Sequence, residues 1–194
     1  MTQSHSTSRK NRSDMLEKSN HKHNKTLGDP HALINGQAVH RSGRMRFGLR
    51  PFSAVGSAVI AVYNLLLLLN RPAVLADIAR ELYIRARSPL GLLGARPLRV
   101  FRYFSAHYIP VNLDRDFNSF CEKFGEGYCG IIICKTGGIF SIPHAAAIEN
   151  DNGRIYIYNR FPTAAKRYEF SSAEFAADKK NFIVGYYINA AEFN

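Results

Sequence analysis

The feature that most constrains the fold of this chain is an almost uninterrupted apolar run at residues 54–69, AVGSAVIAVYNLLLLL. A membrane-spanning helix needs about 20 apolar residues, whereas this shorter run contains Asn64 and is closed by Arg71. One feature favours a signal anchor, a group of arginines that precedes the run: Arg41, Arg44, Arg46 and Arg50. We predict instead a helix over residues 57–70 that is apolar nearly all round and buried in the core, with Ser57 as a possible N-cap.

Charge is unevenly distributed along the chain. The net charge is +11, and residues 1–50 hold ten Lys or Arg against three Asp or Glu. The first 45 residues are rich in Ser, Asn, His and Lys and poor in apolar side chains. We therefore predict a disordered basic tail over residues 1–45 and one folded domain over residues 46–194. Such a tail can associate weakly with anionic partners such as nucleic acid or lipid headgroups.

The cysteines and histidines give no strong indication of a metal or a disulfide framework. Three cysteines are present and form no CxxC: Cys121, Cys129 and Cys134. His21 and His23 form an HxH pair, which alone is a weak indication of metal binding. Residues 1–40 contain no apolar segment of the kind found in a secretory signal peptide. We expect reduced thiols in a cytoplasmic protein, no membrane span, and neither a metal nor a cofactor.

Helical patterns come first along the folded part, and strand patterns follow. The predicted helices are residues 57–70, 72–84, 97–106 and 114–124. The predicted strands are residues 129–136, 140–150, 154–161 and 181–189, with a short helix over 171–179 that opens on a Ser171/Glu174 capping box. Asp151-Asn152-Gly153 is typical of a tight hairpin turn that pairs residue 150 with residue 155. This order predicts an α+β fold in which an N-terminal helical half packs on a C-terminal antiparallel β-sheet.

Three residues of the predicted domain have the types and positions that a nucleophilic site needs. Ser57 would lie at a helix start, where backbone N–H groups and the helix dipole favour negative charge. His144 and Asn159 lie on the two strands of the predicted hairpin, within diagonal reach of each other. We predict Ser57, His144 and Asn159 as nucleophile, base and orienting group, facing one another across a cleft between the two halves. Their simpler roles are an N-cap, a hydrogen-bonded core histidine and a strand-end residue.

The segment GSAVIAVYNLLLLLNRPAVLADIARELY, which begins at Gly56, resembles the nucleophile region of small bacterial papain-like cysteine peptidases, including the bacteriocin-processing (double-glycine) type. Ser57 falls where that family has its nucleophilic Cys. His144-Ala-Ala-Ala-Ile148 resembles the strand that carries the family's His, and Tyr158-Asn159 resembles the strand that carries its Asn or Asp. The similarity covers residues 50–190 and keeps the order nucleophile, His, Asn. It implies a papain-like fold and a domain that acts on or binds a peptide.

The chain departs from that family around the nucleophile. Ser57 stands in place of Cys, Ala58 replaces the usual Gly, and residues 47–53 contain no oxyanion-hole Gln. A hydroxyl does not ionise near neutral pH as an activated thiol does, so Ser needs a base to remove its proton during attack. Three interpretations follow: an inactive papain-like domain that binds a peptide, a serine variant that still hydrolyses or transfers acyl groups, and a replacement made to silence the enzyme.

A different class of function is indicated by basic residues outside this constellation. Six arginines lie within or beside the loop at residues 85–97: Arg80, Arg85, Arg87, Arg96, Arg99 and Arg102. Together with the basic tail they suggest a non-enzymatic binding module for nucleic acid or an anionic surface. A motif typical of RNA-binding proteins is not evident, which favours a solvated face.

Overall fold

The computed structural model describes residues 3–71, 73–135, 143–178 and 181–192, with side chains from residue 11 onward. Some sequence predictions lie outside these residues: the helix start at Pro72, the Gly137-Gly138 break, the strand start at residue 140 and the helix end at residue 179. Seven α-helices fall within the described residues: α1 (Gln3–Thr26), α2 (Phe52–Val55), α3 (Ser57–Leu68), α4 (Leu75–Ala86), α5 (Phe101–Ala106), α6 (Phe117–Lys123) and α7 (Ser172–Ala177).

The strands form two antiparallel sheets. The described strands are β1 (Arg46–Phe47), β2 (Arg50–Pro51), β3 (Asn112–Asp114), β4 (Tyr128–Lys135), β5 (Pro143–Asp151), β6 (Arg154–Tyr158), β7 (Tyr168–Ser171) and β8 (Phe182–Asn189). Strands β1 and β2 pair with each other, and the other six form one sheet in the order β3-β8-β4-β5-β6-β7. Helices followed by an antiparallel sheet confirm the predicted α+β class.

The β5–β6 hairpin has the register that its turn residues predict. Asn150 pairs with Ile155, and Asn152 and Gly153 both have positive φ, at 52° and 74°. Two consecutive left-handed residues are the signature of the tight hairpin turns that match strand twist. Strand β6 ends at Tyr158 rather than at the predicted residue 161, because Asn159 also adopts a left-handed φ of 57° and turns the chain away.

Two predicted helices are shorter than expected for local reasons. The helix predicted over 97–106 is a 3₁₀ turn at Pro97–Arg99 followed by α5. The helix predicted from residue 114 begins at Phe117, because Asp116 accepts a hydrogen bond from the N–H of Ser119 and acts as the N-cap. The predicted Ser171/Glu174 capping box is confirmed at α7.

The six-stranded sheet is covered on both faces. On one face, Ile131, Ile133 and Ala145 belong to an apolar cluster with helices α3 and α4. On the other face, Ile132 and Ala146 belong to a second cluster with the phenylalanines of α6 and α7. Because side chains alternate along a strand, neighbouring residues of β4 and β5 serve different layers.

Helix α3 is the buried core helix that its composition predicts. All of its residues from Ser57 to Leu66 are buried, and it packs against β5 more closely than against any other element. Among the described residues, none of the helices combines the length and apolar character that crossing a membrane requires.

The prediction of a disordered tail over residues 1–45 differs from the structure and is corrected here. Helix α1 spans residues 3–26 and packs against α4. Its buried face is polar: Glu17, Asn20 and Asn24 are 8%, 8% and 1% exposed. Asn20 donates to the carbonyl of Gly48 at 2.7 Å, and Arg80 donates to Glu17 at 2.6 Å. Apolar periodicity cannot reveal a helix that docks through hydrogen bonds, and so the sequence suggested disorder.

Candidate functional site

Ser57 is the first residue of α3, and its side chain is used in a tertiary contact. The N-cap position belongs to Gly56, where a Cβ would lie 2.6 Å from the Phe52 side chain. Ser57 is 6% exposed, and its Oγ accepts a hydrogen bond from the backbone N–H of Ala145 at 3.2 Å. Ser57 is therefore not a capping residue; its hydroxyl ties the start of α3 to strand β5.

His144 directly precedes Ala145 in strand β5 and so lies beside that contact. Its Nε2 lies 2.6 Å from the backbone carbonyl oxygen of Asn159. Because a carbonyl only accepts, Nε2 carries the proton, and in the neutral ring Nδ1 is then a bare acceptor. Burial lowers the pKa of His144 below its ordinary value, although the bond to Asn159 acts in the opposite direction. The site therefore holds a neutral imidazole in one tautomer near neutral pH.

Asn159 contacts His144 through its backbone, while its side chain bonds to the N-terminal segment. The side-chain Oδ1 accepts from the N–H of Gln37 at 3.0 Å, and Nδ2 donates to Gln37 Oε1 at 3.1 Å. The N–H of Asn159 donates to Asn35 Oδ1 at 2.9 Å. Asparagine tolerates the left-handed backbone that this turn requires better than most residues do. Asn159 thus orients His144 through its carbonyl and anchors residues 35–37 through its amide.

The three predicted site residues are connected only through strand β5 and do not form a hydrogen-bonded relay. Among the described residues, Ser57 and His144 share no hydrogen bond. Ala145 packs on the α3 side of the sheet and Ala146 on the opposite side, so strand alternation places His144 on the side of Ala146. The Ser57 hydroxyl reaches the backbone of β5 from the α3 side, whereas the imidazole belongs to the other layer.

The layer that contains His144 holds a cavity of ≈ 430 Å³. Its sheet wall includes Cys134, which pairs directly with His144 across β4 and β5. Its remaining walls are largely apolar and aromatic, with contributions from Phe117, Phe175 and Phe182. Protein sites that bind organic ligands commonly have this size and an apolar lining with few polar groups.

Arg160 places a positive charge at the wall of the cavity. Its guanidinium lies 4.5 Å from the centre of the Phe170 ring and donates through Nη2 to the carboxylate of Asp178. Its Nη1 is buried and has no hydrogen-bond acceptor among the described residues. A buried guanidinium nitrogen without an acceptor is costly, but Nη1 has almost no accessible surface and so does not itself face the cavity.

The native thiols are poor nucleophiles. All three cysteines are free. Burial raises the pKa of Cys121 and of Cys134 to about 11 and that of Cys129 to about 12. Cys134 faces the cavity beside a neutral histidine, and so its thiol stays protonated near neutral pH. Among the described residues, no group of three or more His, Cys, Asp or Glu is arranged to hold a metal.

Sequence reasoning missed Gln37, Cys134 and Arg160 as members of this site. Gln37 lies 122 residues from Asn159, in a segment predicted to be disordered, and no local signal places it there. Cys134 was detectable in principle, because the predicted strands 129–136 and 140–150 follow each other closely and consecutive strands usually pair. Asn64 ties α3 to the segment before it: its Oδ1 accepts the N–H of Ile34 and its Nδ2 donates to the carbonyl of Ile34, each at 2.9 Å.

The chain matches no protein-family model and no curated protein. Among solved structures, it is similar to the crystal structure of the Pseudomonas avirulence protein AvrPphB, with 6% identity and a TM-score of 0.33. The match covers 69% of this chain and 92% of that one. A likeness this distant assigns no family.

Proposed function

We propose that this chain is a papain-like peptidase-type domain that binds a peptide and, with Ser57 in the position of a nucleophilic cysteine, hydrolyses it slowly or not at all. The observation that carries the proposal is that Ser57, at the start of α3, bonds the residue next to His144, which in turn bonds the carbonyl of Asn159. The three residues follow the chain order of that peptidase class.

The state of the Ser57 hydroxyl supports weak or absent hydrolysis. Attack by a serine needs a base within hydrogen-bond reach of its hydroxyl proton. The Oγ of Ser57 instead accepts the N–H of Ala145, and the protonated nitrogen of His144 points to Asn159. A thiol at this position would depend less on such a base, because a helix start lowers the thiol pKa.

Among the described residues, the side-chain amide of Gln37 is not free to act as the oxyanion donor that the resemblance leads us to expect. Gln37 is the glutamine of this region, and its amide nitrogen donates to the carbonyl of Ser53 at 3.3 Å while its oxygen accepts from Asn159. Both ends of that amide are engaged within the protein. Stabilisation of an oxyanion would therefore depend on backbone N–H groups of the first turn of α3 alone, a weaker arrangement than one with an added side chain.

The cavity beside His144 supports peptide binding. Its apolar walls suit one bulky apolar side chain, and the positive charge of Arg160 in its wall suits a carboxylate or carbonyl of the same peptide. Peptide recognition commonly combines one anchoring side chain in a pocket with hydrogen bonds to the peptide backbone. The preferred ligand is therefore a peptide with a large aliphatic or aromatic residue close to an acidic group.

Binding is tested by selecting ligands from a random peptide library and measuring their affinity by titration calorimetry. Ala146→Leu fills the cavity from the sheet wall, and Ala176→Leu adds the same atoms at an exposed position of α7. We expect selected peptides to share a bulky apolar residue and to lose at least about tenfold in affinity with Ala146→Leu only. Equal affinities for the two variants, or no enriched peptide, would refute the proposed mode of binding.

Hydrolysis is tested on the selected peptides carrying a fluorophore and a quencher. We expect no turnover by the natural chain and measurable turnover by Ser57→Cys that His144→Ala abolishes. Rapid turnover by the natural chain would establish the serine variant instead. If neither protein hydrolyses the peptides but binding is intact, the chain is a peptide-binding domain and the peptidase part of the proposal is wrong.

A further inference from the structure

Five large apolar side chains within one stretch of the chain are exposed to solvent. Between residues 84 and 102, the exposed fractions are 55% for Ile84, 41% for Leu92, 58% for Leu93, 46% for Leu98 and 40% for Phe101. Soluble proteins rarely expose several large apolar side chains together unless these side chains take part in an interaction. We name residues 84–102 the Leu/Arg loop.

The Leu/Arg loop is held in shape by its own backbone. The N–H of Ser88 donates to the carbonyl of Gly94 at 2.9 Å, and the N–H of Arg96 donates to the carbonyl of Ala86 at 2.6 Å. The Ser88 hydroxyl accepts the N–H of Leu93 at 2.9 Å. The loop also rests on the β1–β2 turn, where a Cβ on Gly48 would lie only 2.0 Å from the carbonyl oxygen of Leu90. These bonds present Leu92 and Leu93 at the tip of a fixed loop.

The loop is strongly basic as well as apolar. It contains five arginines and no Asp or Glu: Arg85, Arg87, Arg96, Arg99 and Arg102. Arg85 pairs with Glu81 at 3.3 Å, and Arg87 stacks on Tyr83. Within the part of the chain that the structure describes, no carboxylate lies within 4 Å of Arg96, Arg99 or Arg102. Three cations in the same segment as the exposed leucines are therefore without a counter-charge among the described residues.

We infer that the Leu/Arg loop docks on the surface of an anionic lipid bilayer, with Leu92 and Leu93 entering the headgroup boundary and the arginines contacting lipid phosphates and carboxylates. Interfacial attachment requires both features, since buried apolar area and attraction to anionic headgroups each contribute to it. Nucleic acid would use the arginines but gains little from exposed aliphatic side chains, because bases stack on aromatic rings. The combination of leucine and arginine thus favours a bilayer over RNA or DNA.

The direct test uses the absence of tryptophan from the natural sequence. Leu93→Trp introduces one fluorophore at the loop tip, and Leu113→Trp places one on β3, where Leu113 is 37% exposed. The full chain is mixed with vesicles of phosphatidylcholine and phosphatidylserine in a two-to-one ratio that carry brominated acyl chains. We expect quenching of the fluorophore at position 93 and none at position 113. Quenching at neither position, or equally at both, would overturn the inference.

Cosedimentation with the same vesicles separates the contributions of charge and apolar area. Replacing Arg96, Arg99 and Arg102 by Gln should weaken binding about a hundredfold, and Leu92→Ser with Leu93→Ser should weaken it at least about tenfold. The matched charge control replaces Arg12, Lys18 and Lys22, which are exposed on α1, by Gln. The matched apolar control is Met15→Ser with Val39→Ser, where the side chains are 72% and 59% exposed.

The other partners give distinct results. If the α1 control loses as much binding as the loop variant, net charge or the N-terminal segment is responsible, and the inference fails. If single-stranded RNA binds more tightly than vesicles and the leucine substitutions leave that binding unchanged, the loop is a nucleic-acid surface. Vesicles of phosphatidylcholine alone should bind at least about tenfold more weakly than the mixed vesicles.

Discussion

Helices α3 and α1 are both anchored in the protein interior, but by different forces. Helix α3 is buried on nearly all sides through Val, Ile, Leu and Tyr side chains, with Asn64 as its one deeply buried amide. Helix α1 buries a polar stripe instead. Its asparagine side chains donate hydrogen bonds to backbone carbonyls of the β1–β2 segment. Apolar burial is non-directional and follows composition, whereas hydrogen bonds depend on exact placement of both partners. This difference explains why helix α3 could be predicted from the sequence and helix α1 could not.

The largest effect should come from the apolar helix. Leu65→Ala removes a side chain with 0% exposure and should lower the free energy of unfolding by about 2–5 kcal/mol, because the removed contacts leave a cavity. Urea unfolding followed by circular dichroism measures the loss. Leu67→Ala on the same helix is the control, since Leu67 is only partly buried. Equal costs for the two variants would contradict the position of α3 in the core.

The amide in α3 provides the second test. Asn64→Ala leaves both the N–H and the carbonyl of Ile34 without their side-chain partner, which should cost about 2–4 kcal/mol for two buried backbone groups. Asn118→Ala, at an exposed position of α6, should cost less than about 0.5 kcal/mol. A small effect at Asn64 would mean that residues 33–35 are not fixed against α3.

The polar face of α1 is tested by Asn24→Ala. The Asn24 amide accepts the N–H of Arg46 at 2.7 Å and donates to its carbonyl at 2.9 Å. Its loss should destabilise the protein by about 1–3 kcal/mol and increase hydrogen exchange in α1 before the rest of the chain. Ser19→Ala on the exposed side of the same helix is the control. A disordered N-terminal segment would instead show rapid exchange already in the natural chain and no response to either variant.

The smallest expected effect is a pH dependence of the α1–α4 contact. Partial burial raises the pKa of Asp77, but the hydrogen bond from His21 and the positive charge of Lys25 outweigh it and lower the pKa below its ordinary value. A carboxylate with a lowered folded-state pKa stabilises the protein above its unfolded pKa, and this stability is lost as the pH falls through the folded value. Acid unfolding of the natural chain should therefore include a small loss below about pH 4 that Asp77→Asn removes. An unchanged acid limb in Asp77→Asn would show that the contact contributes nothing.

Sequence reasoning captured the parts of the fold that depend on local pattern. The apolar run gave α3, the Asn152-Gly153 pair gave the β5–β6 register, and Ser171 with Glu174 gave the start of α7. The edge strands β3 and β7 were not predicted, because each has only three or four residues and little alternation. Their pairing depends on the neighbouring strand rather than on their own composition.

The hydrogen bonds of the three candidate site residues differ from the relay that the sequence suggested. The partner of the Ser57 hydroxyl is the backbone N–H of Ala145, and the imidazole of His144 lies on the other side of the sheet. The strand that contains His144 was predicted. The face of the sheet on which its side chain lies was harder to predict, because a shift of one residue in the alternating pattern moves a side chain to the opposite face. The bond from His144 to the Asn159 carbonyl depends on a left-handed turn that the sequence alone did not indicate.

The most direct test of the central claim, a papain-like site whose nucleophile is exchanged, is the rate at which a thiol at position 57 reacts. Ser57→Cys, with and without His144→Ala, is treated with a mild thiol-directed electrophile at neutral pH, and labelling is followed by intact mass and peptide mapping. Because burial raises the pKa values of Cys121 and Cys134 to about 11 and that of Cys129 to about 12, the native thiols should react slowly. The account predicts labelling at position 57 at least about tenfold faster than at the native cysteines, with most of that advantage lost in His144→Ala. Labelling at position 57 no faster than at the native thiols would contradict it and reduce Ser57 to a link between helix α3 and strand β5.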